Sequence, residues 1–408
     1  MSQNPTQPKL SFILTLGLMT GVAALSVDLS LPAIPFMVEG LGTTMTRGQQ
    51  IVGIFMAGMA AGQIPAGLLS DRMGRLPVLY MFLSVFLGAA ILTAAASDIH
   101  LILAARFVQG FGAAAAIVVS RAIVRDIAHG KEAARLMSLM TMLFTFAPVV
   151  APSFGALLIT HWDWRAPFIA IALFAGSILI LIRINLTETH TPNRDGHPLR
   201  QLKQSFSEFF SHRQSVFGLL LLVSLPAGFM SIIAVSAALS VEVYGYGVQQ
   251  YGLIFALAGI SILLGAMFNR WLVTRLDQLA SIAFGVLLMA ISGTQLLTIA
   301  YLDAAPFWWL WSSVCLYMFT VAILMANATV FALDPLPRIA GVASSIIGTM
   351  QNIFGAAGAL LAAAIYDGTV RNSVIIIGLV TAAVTVIFLA RPVLCPKVVH
   401  RGDALARD

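Results

Sequence analysis

Residues 188–215, ETHTPNRDGHPLRQLKQSFSEFFSHRQS, interrupt a chain that is otherwise strongly apolar. This segment combines proline, glycine and several charged side chains, which are costly to place in the hydrocarbon core of a bilayer. On both sides of it, apolar runs follow one another at the roughly 20-residue length that a helix needs to cross a membrane. The segment therefore predicts a linker between two membrane-embedded halves.

The overall composition excludes a water-soluble protein. Charged residues make up 10% of the 408 residues, hydrophobic residues make up 59%, and the mean hydropathy is +0.93. A soluble domain carries about 25% charged residues. The net charge is +6, but the basic residues form neither a basic tail nor a stripe interleaved with aromatic residues, so we expect no nucleic-acid partner. The first apolar run, after Lys9, lacks a small-residue cleavage site and is expected to be a retained helix.

The apolar runs predict an all-α membrane protein with twelve transmembrane helices in two six-helix halves around a central cavity. The runs are too long and too continuous for the alternating segments of a transmembrane β-barrel. Binding sites in such two-fold helical folds lie near the bilayer midplane, between the halves. Within the linker, residues 199–211 are expected to form an amphipathic helix lying on the membrane. The predicted units are the first half at residues 1–187, the linker at 188–215, the second half at 216–390 and a tail at 391–408. The predicted spans are 11–35, 50–70, 76–96, 101–124, 136–160, 166–187, 216–240, 251–272, 279–302, 307–331, 341–365 and 373–390.

The distribution of lysine and arginine predicts the orientation of these spans. With a cytoplasmic N-terminus, 19 of the 23 basic residues fall on the cytoplasmic side, as the positive-inside rule requires. The exceptions are Arg47, Arg165 and Arg371 on the outside and Arg106 within a span. Both termini are therefore expected to be cytoplasmic.

Two charged residues lie inside predicted spans, Asp28 in ALSVDLSLPAIP and Arg106 in LILAARFVQGFG. At ~1.5 Å per residue, both lie roughly 10 Å from the outer boundary, so they share one depth. Three interpretations stay open. The two residues could form a fixed ion pair, Asp28 could cap a kink at Pro32, or Asp28 could be a protonation or cation-recognition site. In the last case desolvation and Arg106 would set its proton affinity.

Other polar residues inside the spans are less decisive. Asn327, Gln351 and Asn352 could line the cavity or could form hydrogen bonds between helices. Arg121 and Arg125 lie at a helix end, where arginine side chains commonly snorkel towards the membrane surface. A cavity as apolar as this composition suits amphiphilic, drug-like solutes better than sugars, which need many polar partners.

The turn after the second span reads GLLSDRMGRLP, residues 67–77. A tight turn between two helices uses glycine for close packing and for positive φ. Asp71 lies at the C-terminal end of a helix, where the helix dipole disfavours a carboxylate. We therefore expect Asp71 to pair with Arg72, Arg75 or a neighbouring helix terminus, although an ordinary charged loop is the alternative. The predicted gate loop comprises Gly67, Asp71, Arg72, Gly74 and Arg75.

The fifth span contains APVVAPSFGA, residues 147–156. Pro148 and Pro152 remove two backbone donors, and Ala151 and Gly155 allow a neighbouring backbone to approach closely. The segment predicts a kinked helix that could seal one gate. Ordinary packing of small residues is the alternative.

These motifs resemble the major facilitator superfamily. GLLSDRMGR is similar to the family's G-x-L-x-D-R-x-G-R loop signature, and Arg106 to Gly112 is similar to R-x-x-Q-G-x-G. The fifth-span segment resembles the antiporter motif G-x-x-x-G-P-x-x-G-G, with alanine in place of three of its glycines. DLSLPAIP, residues 28–35, resembles the D-x-x-L-P-A-x-P segment of the Bcr/CflA exporters of bicyclomycin and chloramphenicol. The resemblance implies alternating access, proton antiport and a bacterial inner membrane.

The resulting hypothesis is a proton-coupled antiporter that exports small amphiphilic drugs. Its partners would be a drug-like solute, protons and the lipid bilayer, with a monomeric chain and no cofactor other than the coupling proton. An enzyme, an ATP-driven pump and a metal site are not expected, because the chain lacks a catalytic constellation, a P-loop and metal-ligand spacing. The alternatives are an exporter of one endogenous metabolite, such as a siderophore or sugar, and a non-transporting receptor or scaffold. Asp28 and Arg106 are the proton-coupling candidates, and the predicted cavity adds Gln109, Asn327, Gln351 and Asn352.

Overall fold

The long apolar runs form helices because a backbone surrounded by lipid must satisfy its hydrogen bonds within one segment. The computed structural model describes residues 10–128, 130–190, 198–302, 305–396 and 398, with the backbone alone at 130–131, 133–134, 138, 141–147 and 198–202. Residues 397 and 399–408 of the predicted tail and residues 191–197 of the predicted linker lie outside the described residues.

The first half consists of six long helices and one short one. Its elements are α1 (Leu10–Asp28), α2 (Ile34–Gly40), α3 (Met45–Met73), α4 (Arg75–Ala95), α5 (Ile99–Ile127), α6 (Gly130–His161) and α7 (Ala166–Asn185).

The linker helix and the second half follow in the same pattern. Their elements are α8 (Pro198–Ser211), α9 (Arg213–Ala238), α10 (Val248–Leu272), α11 (Gln278–Ala300), α12 (Phe307–Leu333), α13 (Ala340–Ile365), α14 (Val370–Leu389) and the short α15 (Arg391–Leu394).

Eleven helical segments in the described part of the chain are long and apolar enough to cross a membrane, α1 and α2 counting together as one segment. The twelfth is α6, whose residues Pro148–His161 form an apolar helix within the described side chains. The predicted fold class of twelve membrane helices is therefore confirmed.

The first span is not one continuous helix, although the sequence predicted an unbroken run over 11–35. α1 ends at Asp28, a 3₁₀ turn covers Leu31–Ala33, and α2 then begins at Ile34. Pro32 lacks a backbone donor, and the Ser30 hydroxyl donates to the carbonyl oxygen of Val27 at 2.8 Å. The break therefore lies directly after the intramembrane carboxylate.

Two opposite faces of the bundle are used below. The linker face carries the α3–α4 turn, the end of α5, the linker and the start of α13. The far face carries residues 41–44, 96–98, 162–165 and 244–247. The two halves meet through α3 against α13, α6 against α10, and the turn after α1 against α9 and α10.

The linker helix α8 occupies the predicted position and packs against α9 and α13. Phe209 is fully buried, whereas Phe210 on the same helix remains 47% exposed. The bundle thus covers part of the apolar face of α8, and the remainder is free to contact lipid.

The orientation can be tested with a matched pair of cysteines in a variant whose native Cys315 and Cys395 are replaced by serine. Ser97 on the far face and Ser207 on α8 are both exposed. We expect a membrane-impermeant maleimide to label Ser97→Cys in intact spheroplasts, and to label Ser207→Cys only after permeabilisation. The reverse labelling pattern would invert the predicted topology.

Candidate functional site

Arg106 on α5 is fully buried and is held by neutral groups. Its Nη1 donates to the Ser26 hydroxyl at 3.1 Å and to Gln109 Oε1 at 2.9 Å, and its Nη2 donates to the Ser30 hydroxyl at 3.4 Å. The guanidinium also lies 4.6 Å from the ring centroid of Phe55, a distance at which a cation–π attraction is effective. These contacts fasten α5 to the end of α1.

Asp28 is 5% exposed and lies between the two serines that Arg106 contacts. Within the described residues, no ion pair or hydrogen bond to its carboxylate is found, so in this conformation it is neither paired with Arg106 nor acting as a helix cap. It is close enough to Tyr251 on α10 for an electrostatic interaction, and the Tyr251 hydroxyl lies 2.8 Å from that of Ser236. The carboxylate therefore lies where the two halves meet.

The four other predicted cavity residues make contacts inside the bundle. The Gln109 amide nitrogen is buried and has no partner in the described part of the chain. Asn327 donates to Asn269 Oδ1 at 2.7 Å and so joins α12 to α10. Gln351 donates to a methionine sulfur, and Asn352 to a backbone carbonyl of its own helix. A role for these residues in substrate binding stays a prediction.

The gate loop is organised around Arg75. This side chain donates to Asp71 at 2.5 Å, to Asp126 at 2.9 Å and to the Ser70 hydroxyl at 2.9 Å. The predicted pairing of Asp71 is thus confirmed. Gly74 adopts φ +97° in the turn, a conformation that favours glycine. The network connects the ends of α3 and α5 to the start of α4.

The neighbours of Arg75 in the gate loop contribute less. Arg72 is exposed, and Gly67 lies on α3 where an added Cβ would be 3.6 Å from Val118. Sequence reasoning did not assign Asp126 to the gate. The available signal was a carboxylate in the last turn of a helix, where the dipole disfavours it.

Glu188, the first linker residue, caps the N-terminus of α4. Its two carboxylate oxygens accept from the backbone N–H groups of Arg75 and Leu76, both at 2.9 Å. Partial burial raises the pKa of the Glu188 carboxyl, but the N–H groups of Arg75, Leu76, His190 and Thr189 lower it more. The net pKa lies below the ordinary value of 4.5. The linker is therefore tied to the gate loop.

The fifth-span segment on α6 packs against the other half. A Cβ added to Gly252 on α10 would lie 2.8 Å from the Ser153 Cα, and one added to Gly259 would lie 3.0 Å from the Pro148 carbonyl carbon. A Cβ on Gly155 would collide with the Leu29 carbonyl oxygen. The close approach predicted for Gly155 is therefore present at the break that follows Asp28, and the backbone of Pro148 and Pro152 packs against the glycines of α10.

A cavity of about 250 Å³ lies between the halves at the linker face. At its inner end, the Thr349 hydroxyl donates to Gln63 Oε1 at 2.9 Å across the two halves. Sequence reasoning missed Gln63, although an amide within an apolar run was visible. It also expected Arg121 and Arg125 to snorkel, whereas both line this cavity, because the end of α5 faces the other half. The cavity walls include Gln63, Ile117, Arg121, Arg125, Gly341 and Ser344.

Two six-helix halves, packed together at the far face and separated by a cavity at the linker face, are the architecture of a helical membrane transporter. The sequence model of the Major Facilitator Superfamily matches residues 16–359. The chain belongs to this superfamily, and it is a multi-pass membrane transporter rather than an enzyme.

Its relatives support the resemblance noted in the first span. The chain is 29% identical to the bicyclomycin resistance protein homolog of Haemophilus influenzae, over 85% of this chain and 87% of the relative. It is 26% identical to multidrug resistance protein D of Escherichia coli, with the same two coverages. The solved D-xylose–proton symporter is similar in fold, with a TM-score of 0.74, 18% identity and coverage of 96% and 99%.

The cap on α4 predicts a pH-dependent stability. Glu188→Ala should lower the free energy of unfolding by about 0.5–2 kcal/mol, measured by thermal unfolding in detergent. Because the folded-state pKa is lowered, the stabilisation is complete above pH 4.5 and is lost as the pH falls further. Glu188→Gln keeps one acceptor oxygen and should lose less. An equal difference between wild type and Glu188→Ala at pH 7 and pH 3.5 would contradict the cap.

The contact between α6 and α10 predicts that a larger side chain at Gly252 is disruptive. Gly252→Val should cost about 1–3 kcal/mol by overpacking, again measured by thermal unfolding. Gly88→Val is the matched control, because a Cβ there meets nothing within 4 Å. Equal melting temperatures for the two variants would argue against a tight α6–α10 seal.

Proposed function

We propose that the protein is a proton-coupled antiporter that exports small amphiphilic drugs by alternating access. It would act as a monomer in the bacterial inner membrane, with both termini and the linker face cytoplasmic and with the proton as its coupling ion. One observation carries the proposal. Asp28 is the single carboxylate that the described residues place in the membrane interior, and it lies unpaired where the halves meet.

The position of Asp28 supports a protonation step. Burying a charge in the membrane costs free energy. Protonation of the Asp28 carboxylate would therefore stabilise the conformation in which the far face is packed. Opening of the far face would bring water to the carboxylate and allow the proton to exchange. Arg106 binds Ser26 and Ser30 on either side of Asp28. Movement at the break would therefore change the distance between the two charged groups.

The two faces of the bundle supply the gates that such a cycle needs. At the far face, Gly155 and Gly252 bring α6 against Leu29 and against α10. At the linker face, the Arg75 network fixes the α3–α4 turn within the first half. We infer that the cavity closes at the linker face as the α6–α10 contact opens.

The substrate class follows from the cavity and the relatives. Ile117, Val118 and Met137 provide an apolar wall beside the polar groups, which suits an amphiphilic solute. The relatives named above are a bicyclomycin resistance homolog and a multidrug resistance protein. These two lines favour drug export over export of a sugar.

The test is counterflow in proteoliposomes with an imposed pH gradient and chloramphenicol as the probe. Wild type should show transport that depends on the gradient, and Asp28→Asn should lose that dependence because it cannot exchange a proton. Glu39→Gln is the control, since Glu39 is an exposed carboxylate on α2. Gradient-driven transport that is unchanged in Asp28→Asn would remove Asp28 from the proton pathway.

A further inference from the structure

Two arginines lie one helical turn apart on the wall of the cavity. Arg121 and Arg125 are both on α5, and each lines the space between the halves. Arg121 lies between the halves but is exposed to the cavity, and it is close enough to Arg125 for the two like charges to repel each other. The Arg125 guanidinium packs directly against Gly341 at the start of α13. The pair therefore spans from one half to the other.

No carboxylate neutralises this pair in the described part of the chain. Asp126, next to Arg125 in sequence, is already bound by Arg75 and by the Thr189 hydroxyl. No ion pair to Arg121 or Arg125 is found among the residues whose side chains are described. Two like charges one turn apart repel each other and destabilise a helix.

A third positive element points into the same cavity. α13 is a 26-residue helix that begins at Ala340, and its N-cap residue Ile339 provides no side-chain cap. Ala340, Gly341, Ser344 and Ser345 from its first two turns line the cavity. The free N–H groups of a helix N-terminus carry partial positive charge and bind anions. Independently of this helix end, Arg121 and Arg125 place two cations on the same cavity wall, and neither has an ion-pair partner among the described side chains.

We propose that the cavity binds an anionic group of the substrate, such as a carboxylate, sulfonate or phosphate. This inference rests on the proposed function and narrows its substrate class to amphiphilic organic anions and zwitterions. Arg121 and Arg125 bind the charged oxygens, and the free N–H groups at the N-terminus of α13 contact the same oxygens from the other half. The cavity of about 250 Å³ is smaller than a typical drug site of roughly 300–1,000 Å³. It therefore holds the charged end of the molecule, and Ile117, Val118 and Met137 contact the adjoining apolar part.

The same chemistry would suit the headgroup of an anionic lipid. The cavity, however, is walled by α3, α5 and α6 of one half and by α13 of the other, whereas a bilayer lipid approaches from the outer surface of the bundle. This placement favours a solute that enters from the linker face.

The test compares two probes that differ by one carboxylate, chloramphenicol and chloramphenicol succinate, with binding to purified full-length protein measured by equilibrium dialysis. Arg121→Gln and Arg125→Gln should each weaken binding of the succinate ester about tenfold, the loss of one hydrogen-bonded charge. Binding of neutral chloramphenicol should change less than about twofold. Arg121→Lys should retain part of the affinity, and Arg183→Gln, an exposed arginine of α7, should retain all of it.

A measurement on the wild type guards against variants that fail to fold. Sodium sulfate should lower the affinity for the succinate ester more than sodium chloride does at equal ionic strength, and neither salt should affect neutral chloramphenicol. Equal effects of the two salts, or equal losses for both probes in the glutamine variants, would overturn the anion site.

Two further measurements, stabilisation by phosphatidylglycerol and pH-driven counterflow, distinguish the anion site from a lipid site and from the proposed antiport. If phosphatidylglycerol raises the melting temperature through Arg121 and Arg125 while the succinate ester binds no better than chloramphenicol, a lipid occupies the site and the inference is wrong. If the ester binds through the arginines but pH-driven counterflow is absent, the anion site stands and the proposed antiport fails. If counterflow of chloramphenicol persists without any preference for the ester, antiport stands and the anion site fails.

Discussion

The high cost of an unpartnered polar group in hydrocarbon governs this structure. The cost keeps the backbone of the described spans helical, and it confines most charges to the helix ends. Where a charge must lie inside, neutral groups surround it. Arg106 is wrapped by the Ser26 hydroxyl, the Gln109 amide and the ring of Phe55. The exception is Asp28, which the described side chains leave without a hydrogen bond, and this exception gives the carboxylate its functional interest.

The two faces of the bundle are closed by different physical means. The far face closes by backbone packing, with Gly155 against Leu29 and Gly252 against Ser153. Contacts of this kind depend little on salt and much on side-chain volume. The linker face is organised by charge, through Arg75, Asp71, Asp126 and the Glu188 cap. The two gates are therefore sensitive to different perturbations, side-chain volume at the far face and charge at the linker face.

Hydropathy was sufficient to place the twelve spans, since each predicted run coincides with helical structure, the first of them interrupted after Asp28. Asp71 was predictable too, because a carboxylate at a helix C-terminus demands a nearby cation. What escaped prediction depends on which face of a helix meets which neighbour. α1 is apolar on all sides, so hydropathy predicted a continuous run, and a kink at Pro32 remained only one of three interpretations. Likewise, the sequence of α5 could not show that Arg121 faces the other half rather than lipid.

Asp28 and the arginine pair lie at opposite ends of one path between the halves. Arg106, which contacts both neighbours of Asp28, is fifteen residues before Arg121 on α5, or roughly 22 Å at ~1.5 Å per residue. On the proposed mechanism, an anion binds at the arginine end and leaves at the far face, while a proton enters at the carboxylate end. Both movements carry charge in the direction that an inside-negative potential favours, each by about 2.3 kcal/mol per 100 mV. Proton exchange for a neutral substrate moves one charge per proton and already depends on the membrane potential, and an anionic substrate adds a second charge that the potential drives in the favourable direction.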